Sequence, residues 1–261
     1  MLVTAVMVMA GCSNQKFVDE ALYDGARLST ENEFANLIEK ARWGDGQAFL
    51  KLADCYRDGK GVEKDFVGMF SMVILADRTG SHKSIENYLK SMPEDSEYRI
   101  ILEAMNHIEK DRVEEAQSLA EQLITRGSSD GYTIQGVTVI ESGDTLGGRS
   151  LLEKAAVQGS NLASLILCMP DWRENQTTDV EKLKALTEKM PYVNMILARI
   201  YAGLTDEQLA IHYLLKADKH ACLNKRGAKW LLKYQQNVGG LPLSEKDIQR
   251  LQILAGKKAA E

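Results

Sequence analysis

Cysteine and histidine are the side chains of this sequence best suited to nucleophilic or metal chemistry, and each type occurs four times. Cys55, Cys168 and Cys222 are widely separated and form no CxxC pair. Structural zinc sites use closely spaced ligand pairs, so this spacing argues against such a site. We predict that these three cysteines are buried free thiols that pack as small apolar residues. In an oxidising compartment two of them could form a disulfide, and the spacing favours no pair.

The histidines do not have the spacing of metal ligands either. His212 and His220 are eight residues apart with Asp218 between them, and the sequence has no HExxH motif. Gly59 and Gly61 could form a phosphate-binding loop, but no Gly-Lys-Ser or Gly-Lys-Thr follows them, which favours a helix stop and a tight turn. No residue lies in a nucleophile-elbow sequence. The sequence therefore predicts no catalytic residue, no cofactor and no metal.

The composition favours helices. The chain has 261 residues, of which 44% are hydrophobic, and its formal net charge is -5. Helix-forming Ala, Leu, Glu, Lys and Gln are abundant, and residues 131–143 are the main run of strand-type composition. A mildly acidic chain does not have the clustered excess of Lys and Arg that nucleic acid requires. We predict an all-α protein with no nucleic-acid partner.

The first residues have the pattern of an export signal. Residues 1–10, MLVTAVMVMA, form an uncharged apolar run, which is too short for a bilayer span of about 20 residues. The run is followed by Gly11 and Cys12, and together with Ala10 this order resembles the bacterial lipobox. In a lipobox the signal is cleaved before a cysteine that then carries lipid. No Lys or Arg precedes the apolar run, which departs from the usual pattern.

The lipobox resemblance implies a location. It implies a signal peptide over 1–11, a lipid on Cys12 and a tether with an N-terminal segment over 12–29. Ser13 rather than Asp after the cysteine resembles the sorting pattern of outer-membrane lipoproteins. We therefore expect a lipid-anchored protein of the bacterial cell envelope, at the periplasmic or the surface face of the outer membrane.

Apolar residues recur at helical spacing along the rest of the chain, as at Phe34, Leu37, Ile38 and Ala41. Ser244 and Asp247 have the spacing that caps a last helix. The same periodicity predicts helices over 84–89, 96–108, 111–125, 130–141, 146–157, 162–168, 180–189, 192–202, 206–218, 225–236 and 244–255. The ends of every second helix recur at intervals of about 30 to 47 residues, which predicts stacked two-helix repeats.

Residues 44–80 contain the most specific repeat unit. Small or apolar packing sites are followed by an inter-helix loop of the form Y-x-x-G-x-G-V-x-x-D. The unit resembles the Sel-one-like repeat (SLR) family, a relative of tetratricopeptide repeats. Gly68-Met69 departs from the family pattern, which usually has an alanine there. The positions that match the repeat are Gly44, Ala48, Leu52, Ala53, Tyr56, Gly59, Gly61, Asp65 and Gly80.

The SLR resemblance implies a fold and a role. The fold is a right-handed α-solenoid of antiparallel helix pairs over 30–256, with a tail over 257–261. Most members of the family mediate protein–protein interaction and have no chemistry of their own. We therefore expect a non-enzymatic, lipid-anchored scaffold for a protein or peptide partner, with membrane contact through the lipid.

The first helix of each pair should line the concave face of such a solenoid. Trp172 beside Arg173 in a polar loop has the composition of a binding hot spot, although it could instead cover the core of the next repeat. The polar residues predicted on the concave face are Lys51, Asp54, Arg57, Gln135, Thr138, Asn194 and Arg199.

Two other functions are compatible with the sequence. One is an envelope hydrolase or penicillin-binding SLR protein, but such proteins have a cysteine pair in each repeat and this chain does not. The other is a structural module that associates with copies of itself.

Overall fold

A computed structural model describes residues 31–79, 85–169 and 178–256, and all regular secondary structure in these ranges is helical. This confirms the all-α class for the described chain. The predicted signal peptide (1–11), Cys12, the tether (12–29), Gly80, Trp172 and the tail (257–261) lie outside the described residues. The helices are α1 (Glu31–Arg42), α2 (Gly46–Asp58), α3 (Phe66–Arg78), α4 (Ile85–Ser91), α5 (Glu97–Glu109), α6 (Val113–Thr125), α7 (Ser129–Glu141), α8 (Thr145–Val157), α9 (Asn161–Cys168), α10 (Val180–Leu186), α11 (Val193–Gly203), α12 (Glu207–Lys219), α13 (Lys225–Asn237) and α14 (Glu245–Leu254).

The helix ends follow local side-chain chemistry. Gly59 ends α2 in the left-handed conformation, with φ of 72°, as its position in the repeat loop predicts. Ser244 and Asp247 form the predicted capping box at the start of α14. α10 ends at Leu186, earlier than the predicted Lys189. Thr187 Oγ1 donates to the Lys184 carbonyl there, and Pro191 soon follows.

Helix α7 forms in spite of its strand-type composition. Its two threonines both find polar partners. Thr138 Oγ1 donates to the Ile134 carbonyl of the same helix at 2.8 Å, and Thr133 Oγ1 lies 2.9 Å from Ser160 Oγ. Such back-bonding removes the cost of burying a hydroxyl in a helix.

Contacts divide the chain into two compact units. One, called here the middle unit, is Glu86–Val180. The other, called the split unit, combines Phe17–Ile85 with Glu181–Glu261. Each unit is described by itself, over its described residues.

In the middle unit, successive helices from α5 to α9 pack against each other in chain order. Helices α7 and α8 cross closely at Gly136 and Gly148. A Cβ on Gly136 would lie 2.8 Å from the Gly148 carbonyl oxygen, and a Cβ on Gly148 would lie 2.5 Å from that of Gly136. Only glycine permits the two backbones to approach this closely.

In the split unit, α1–α3 pack in chain order, and so do α11–α13 with α14. The two parts of the chain also meet. Tyr192 Oη donates to Asp65 Oδ2 across 127 residues of sequence, and Arg42 pairs with Asp218. A one-dimensional stack of repeats has contacts between sequence neighbours only, so these pairs are contacts that the repeat pattern does not predict.

Candidate functional site

The most concentrated charged cluster of the described chain lies in the split unit, where α1, α12 and α14 meet. Arg250 is 1% exposed and Asp218 is 4% exposed. The guanidinium binds the carboxylate in a bidentate manner, with Nη1 to Oδ1 at 2.7 Å and Nη2 to Oδ2 at 2.6 Å. Arg42 Nη2 reaches the same Asp218 Oδ2 at 3.1 Å. Both charges of the central pair are therefore compensated inside the protein.

Asp247 extends this cluster to the solvent side. Its Oδ1 lies 3.4 Å from Nη2 of Arg42 and 3.4 Å from Nη2 of Arg250. Hydrogen bonds from Ser244 and the nearby charge of Arg250 together hold the pKa of Asp247 below its ordinary value, against the effect of burial. The two arginines thus share two aspartates. The cluster ties three helices together.

A second polar cluster lies at the loop of the SLR-like unit. Asp65 caps α3 by accepting from the Val67 amide at 3.1 Å, and its other oxygen accepts from Tyr192 at 3.0 Å. Burial and the neighbouring Asp65 carboxylate raise the pKa of Tyr192 well above its ordinary value, so the phenol keeps its proton and acts as a donor. Tyr56 packs beside this pair: a Cβ on Gly68 would lie 2.7 Å from its ring. A larger side chain at position 68 would therefore collide with the Tyr56 ring.

The three described cysteines are buried free thiols, as their spacing predicts. Burial raises the pKa of Cys55 and of Cys222 to about 12. At neutral pH both are protonated, and a thiol is a poor nucleophile compared with its thiolate. These cysteines pack as apolar residues.

The nearest arrangement to a nucleophile site is in the middle unit, where Ser160 Oγ donates to Asp130 Oδ1 and also lies 2.9 Å from Thr133 Oγ1. Ser160 is 2% exposed, and its hydroxyl accepts from the Ala163 amide as the N-cap of α9. A buried hydroxyl that is engaged as a cap is structural. In the described ranges, no three His, Cys, Asp or Glu side chains converge as metal ligands.

Three of the residues predicted on a partner-binding face are buried. Asp54 pairs with Arg57 Nη1 at 2.8 Å, Thr138 bonds its own helix, and Asn194 Nδ2 donates to the Pro191 carbonyl at 2.8 Å. Helical periodicity places these polar residues on helix faces, but it does not reveal that the fold buries those positions. The predicted residues that stay at least partly accessible are Lys51, Arg57 and Gln135, which are half-buried, and Arg199, which is exposed.

The residues of the SLR-like unit have packing roles. Ala48, Leu52, Ala53 and Tyr56 are buried on α2. Gly44, Gly59 and Gly61 all have positive φ, which lets the chain reverse on either side of α2.

Sequence reasoning missed one surface, the exposed face of α13. Lys225, Arg226, Lys229 and Lys233 are exposed there, and residues 219–244 contain no Asp or Glu. The overall net charge of -5 conceals this local excess. A windowed count of charge along the chain would have found it.

Among the described residues, no helix is both long and apolar enough to span a bilayer. Comparison of the chain with protein-family models, with curated proteins and with solved structures finds no match.

Proposed function

We propose that this protein is a lipid-anchored helical-repeat scaffold that binds a protein or peptide partner in the bacterial cell envelope. The observation that carries the proposal is that the buried polar side chains described above take part in packing and capping. The buried acids, hydroxyls and thiols cap helices, pair with arginine or fill the core, which is how a scaffold of helical hairpins is stabilised.

The finer architecture in this proposal is a right-handed α-solenoid of SLR-like pairs. Its support is the order of packing, since successive helices joined by short turns, several of which contain glycine, contact each other in both units. The Tyr192–Asp65 and Arg42–Asp218 pairs add contacts between the N-terminal and C-terminal parts of the split unit.

The lipid anchor is supported by the apolar run followed by Ala10, Gly11 and Cys12. Metabolic labelling with an alkyne fatty acid, in a bacterial host with a lipoprotein pathway, tests it. The intact chain should incorporate label and Cys12→Ser should not. Cys222→Ser, which changes a buried thiol, is the matched control and should label as the intact chain does. Labelling of Cys12→Ser would overturn the anchor.

Partner binding is tested by a photocrosslinking amino acid at Arg199, the exposed member of the predicted face. The same probe at Glu114, an exposed position on α6, is the control. A discrete protein adduct at Arg199 that is absent at Glu114 supports a scaffold with a defined binding face. The same adducts at both positions, or none at Arg199, would count against that face.

A further inference from the structure

Helix α13 has an exposed face of unusual charge. Its sequence is KRGAKWLLKYQQN, with four basic residues and no acidic residue. At about 100° per residue, the four basic positions fall within an arc of about 100°, and the buried Ala228, Leu231 and Leu232 lie outside that arc. The helix therefore presents one continuous cationic strip to solvent.

These cations have no partner within the described protein. None of Lys225, Arg226, Lys229 and Lys233 forms an ion pair with any described residue. Some other exposed or half-buried lysines of the same unit are paired, as in Lys60–Asp58 at 2.8 Å and Lys184–Glu181 at 2.7 Å. The strip on α13 is thus available for an external anion.

Apolar side chains flank the strip. Trp230 and Tyr234 are four residues apart on the same side of α13, and both are half-buried. Val238, which follows the helix and continues this line, is 64% exposed. A cationic row beside an aromatic and apolar row on one helix is the pattern of a helix that lies at a membrane interface.

We propose that the α13 face adsorbs to anionic phospholipid bilayers. Lys and Arg contact the anionic headgroups, while Trp230 and Tyr234 sit at headgroup depth. A lipid surface satisfies the charged row and the aromatic row at once. An acidic polypeptide would satisfy the charged row alone. The adsorption needs no lipid on Cys12, so it is independent of the anchor proposed above.

The test uses the full chain with Cys12→Ser, so that no attached lipid contributes. Binding is measured by co-sedimentation with phosphatidylcholine vesicles with and without phosphatidylglycerol. We expect binding only when phosphatidylglycerol is present, and a loss of binding in high salt. Binding to α13 should fall at least about tenfold in R226E/K229E/K233E, because each Lys or Arg near an anionic surface contributes several-fold.

The control is K40E/K64E/K110E, which makes the same change in net charge. These three lysines are exposed, lie outside α13 and form no ion pair with a described residue. The control should bind as its parent does, apart from a small effect of net charge. Equal weakening in the two triple variants would overturn the proposal, since it would indicate a general effect of charge. Circular dichroism confirms that both variants fold.

A second measurement tests directly whether Trp230 contacts the lipid. In a W43F/W172F background Trp230 is the one tryptophan left, because the chain has three. Brominated phosphatidylglycerol vesicles should quench its fluorescence, and charge reversal on α13 should abolish the quenching. Binding without quenching would show that another surface contacts the lipid and would overturn the assignment to α13. Binding to poly-glutamate with no binding to vesicles would overturn it in favour of an acidic polypeptide.

Discussion

Tyr192 Oη lies 3.0 Å from Asp65 Oδ2, and both residues are buried although 127 positions separate them in the chain. This hydrogen bond joins the loop before α3 to the start of α11. Asp65 is at the same time the N-cap of α3, so one carboxylate serves two parts of the split unit.

Tyr192→Phe should destabilise the protein by about 1–3 kcal/mol, because a buried carboxylate oxygen loses its donor while the ring volume is kept. The free energy of unfolding from urea titration measures this. Tyr132→Phe, a half-buried tyrosine of the middle unit, is the control and should change stability by much less. An unchanged stability in Tyr192→Phe would mean that solvent reaches Asp65.

The Arg250–Asp218 pair should show strong coupling. Asp218→Leu leaves a buried guanidinium without its carboxylate partner and should cost about 3–5 kcal/mol. In the double variant Asp218→Leu with Arg250→Met, both charges are removed, and the loss should be smaller than in the single variant. A double-mutant cycle on urea unfolding measures the coupling. Additive losses would show that the two residues act independently.

The α7–α8 crossing should not accept a methyl group. Gly136→Ala places a Cβ about 2.8 Å from the Gly148 carbonyl oxygen, so the helices must separate, at a cost of about 1–3 kcal/mol. Gly203→Ala is the opposite case, since nothing lies within 4 Å of its Cβ position, and it should stabilise by about 0.5–1 kcal/mol. Thermal unfolding distinguishes the two. Equal effects of the two substitutions would contradict a close backbone contact.

Asp247 should make stability depend on acid pH. Hydrogen bonds from Ser244 lower the pKa of Asp247 in the folded state. The carboxylate therefore takes up a proton at a lower pH in the folded protein than in the unfolded chain. Its contribution is therefore full above about pH 4 and is lost as the pH falls through the folded-state pKa.

Asp247→Asn should cost about 1 kcal/mol at pH 7, and the difference from the parent should shrink below about pH 4. Urea unfolding at pH 7, 5 and 3 measures this difference. A constant difference across this range would show that the charge of Asp247 does not contribute.

The cysteines should be protected from thiol reagents in the folded state. In the Cys12→Ser chain, Cys55, Cys168 and Cys222 are the remaining thiols. We expect almost no reaction with DTNB in buffer and a full three-thiol reaction in urea, because burial excludes the reagent and raises the pKa of Cys55 and Cys222. Rapid reaction of one thiol in buffer would identify a locally open helix.

Much of the helical structure could be predicted from sequence, since it depends on local signals. The spacing of apolar residues predicts the helices. Gly59 predicts the end of α2, and Ser244 with Asp247 predicts the N-terminal cap of α14. These signals act over a few residues, so one sequence is enough to recognise them.

The candidate surfaces were harder to predict. Asp54, Thr138 and Asn194 are polar and occur on predicted helix faces, yet each is buried by contacts that helical periodicity does not contain. The partners of Asp65 and Asp218 lie far away in sequence or on separate helices. The basic residues of α13 can be read from the sequence, but acidic residues elsewhere in the chain offset them in the overall net charge.

The composition of the split unit has a consequence for the order of biosynthesis. Helices α1–α3 leave the ribosome before residues 192–254, which supply Tyr192 and Arg250 to the same unit. In the middle unit, by contrast, the described helices α5–α9 pack on their neighbours in the sequence. Helices α1–α3 must therefore wait for their distant contacts until residues 192–254 have been synthesised. A premature stop codon before α14 would remove Arg250, whose Nη1 donates to the Arg42 carbonyl at the end of α1, so the loss of a helix made late affects a helix made early.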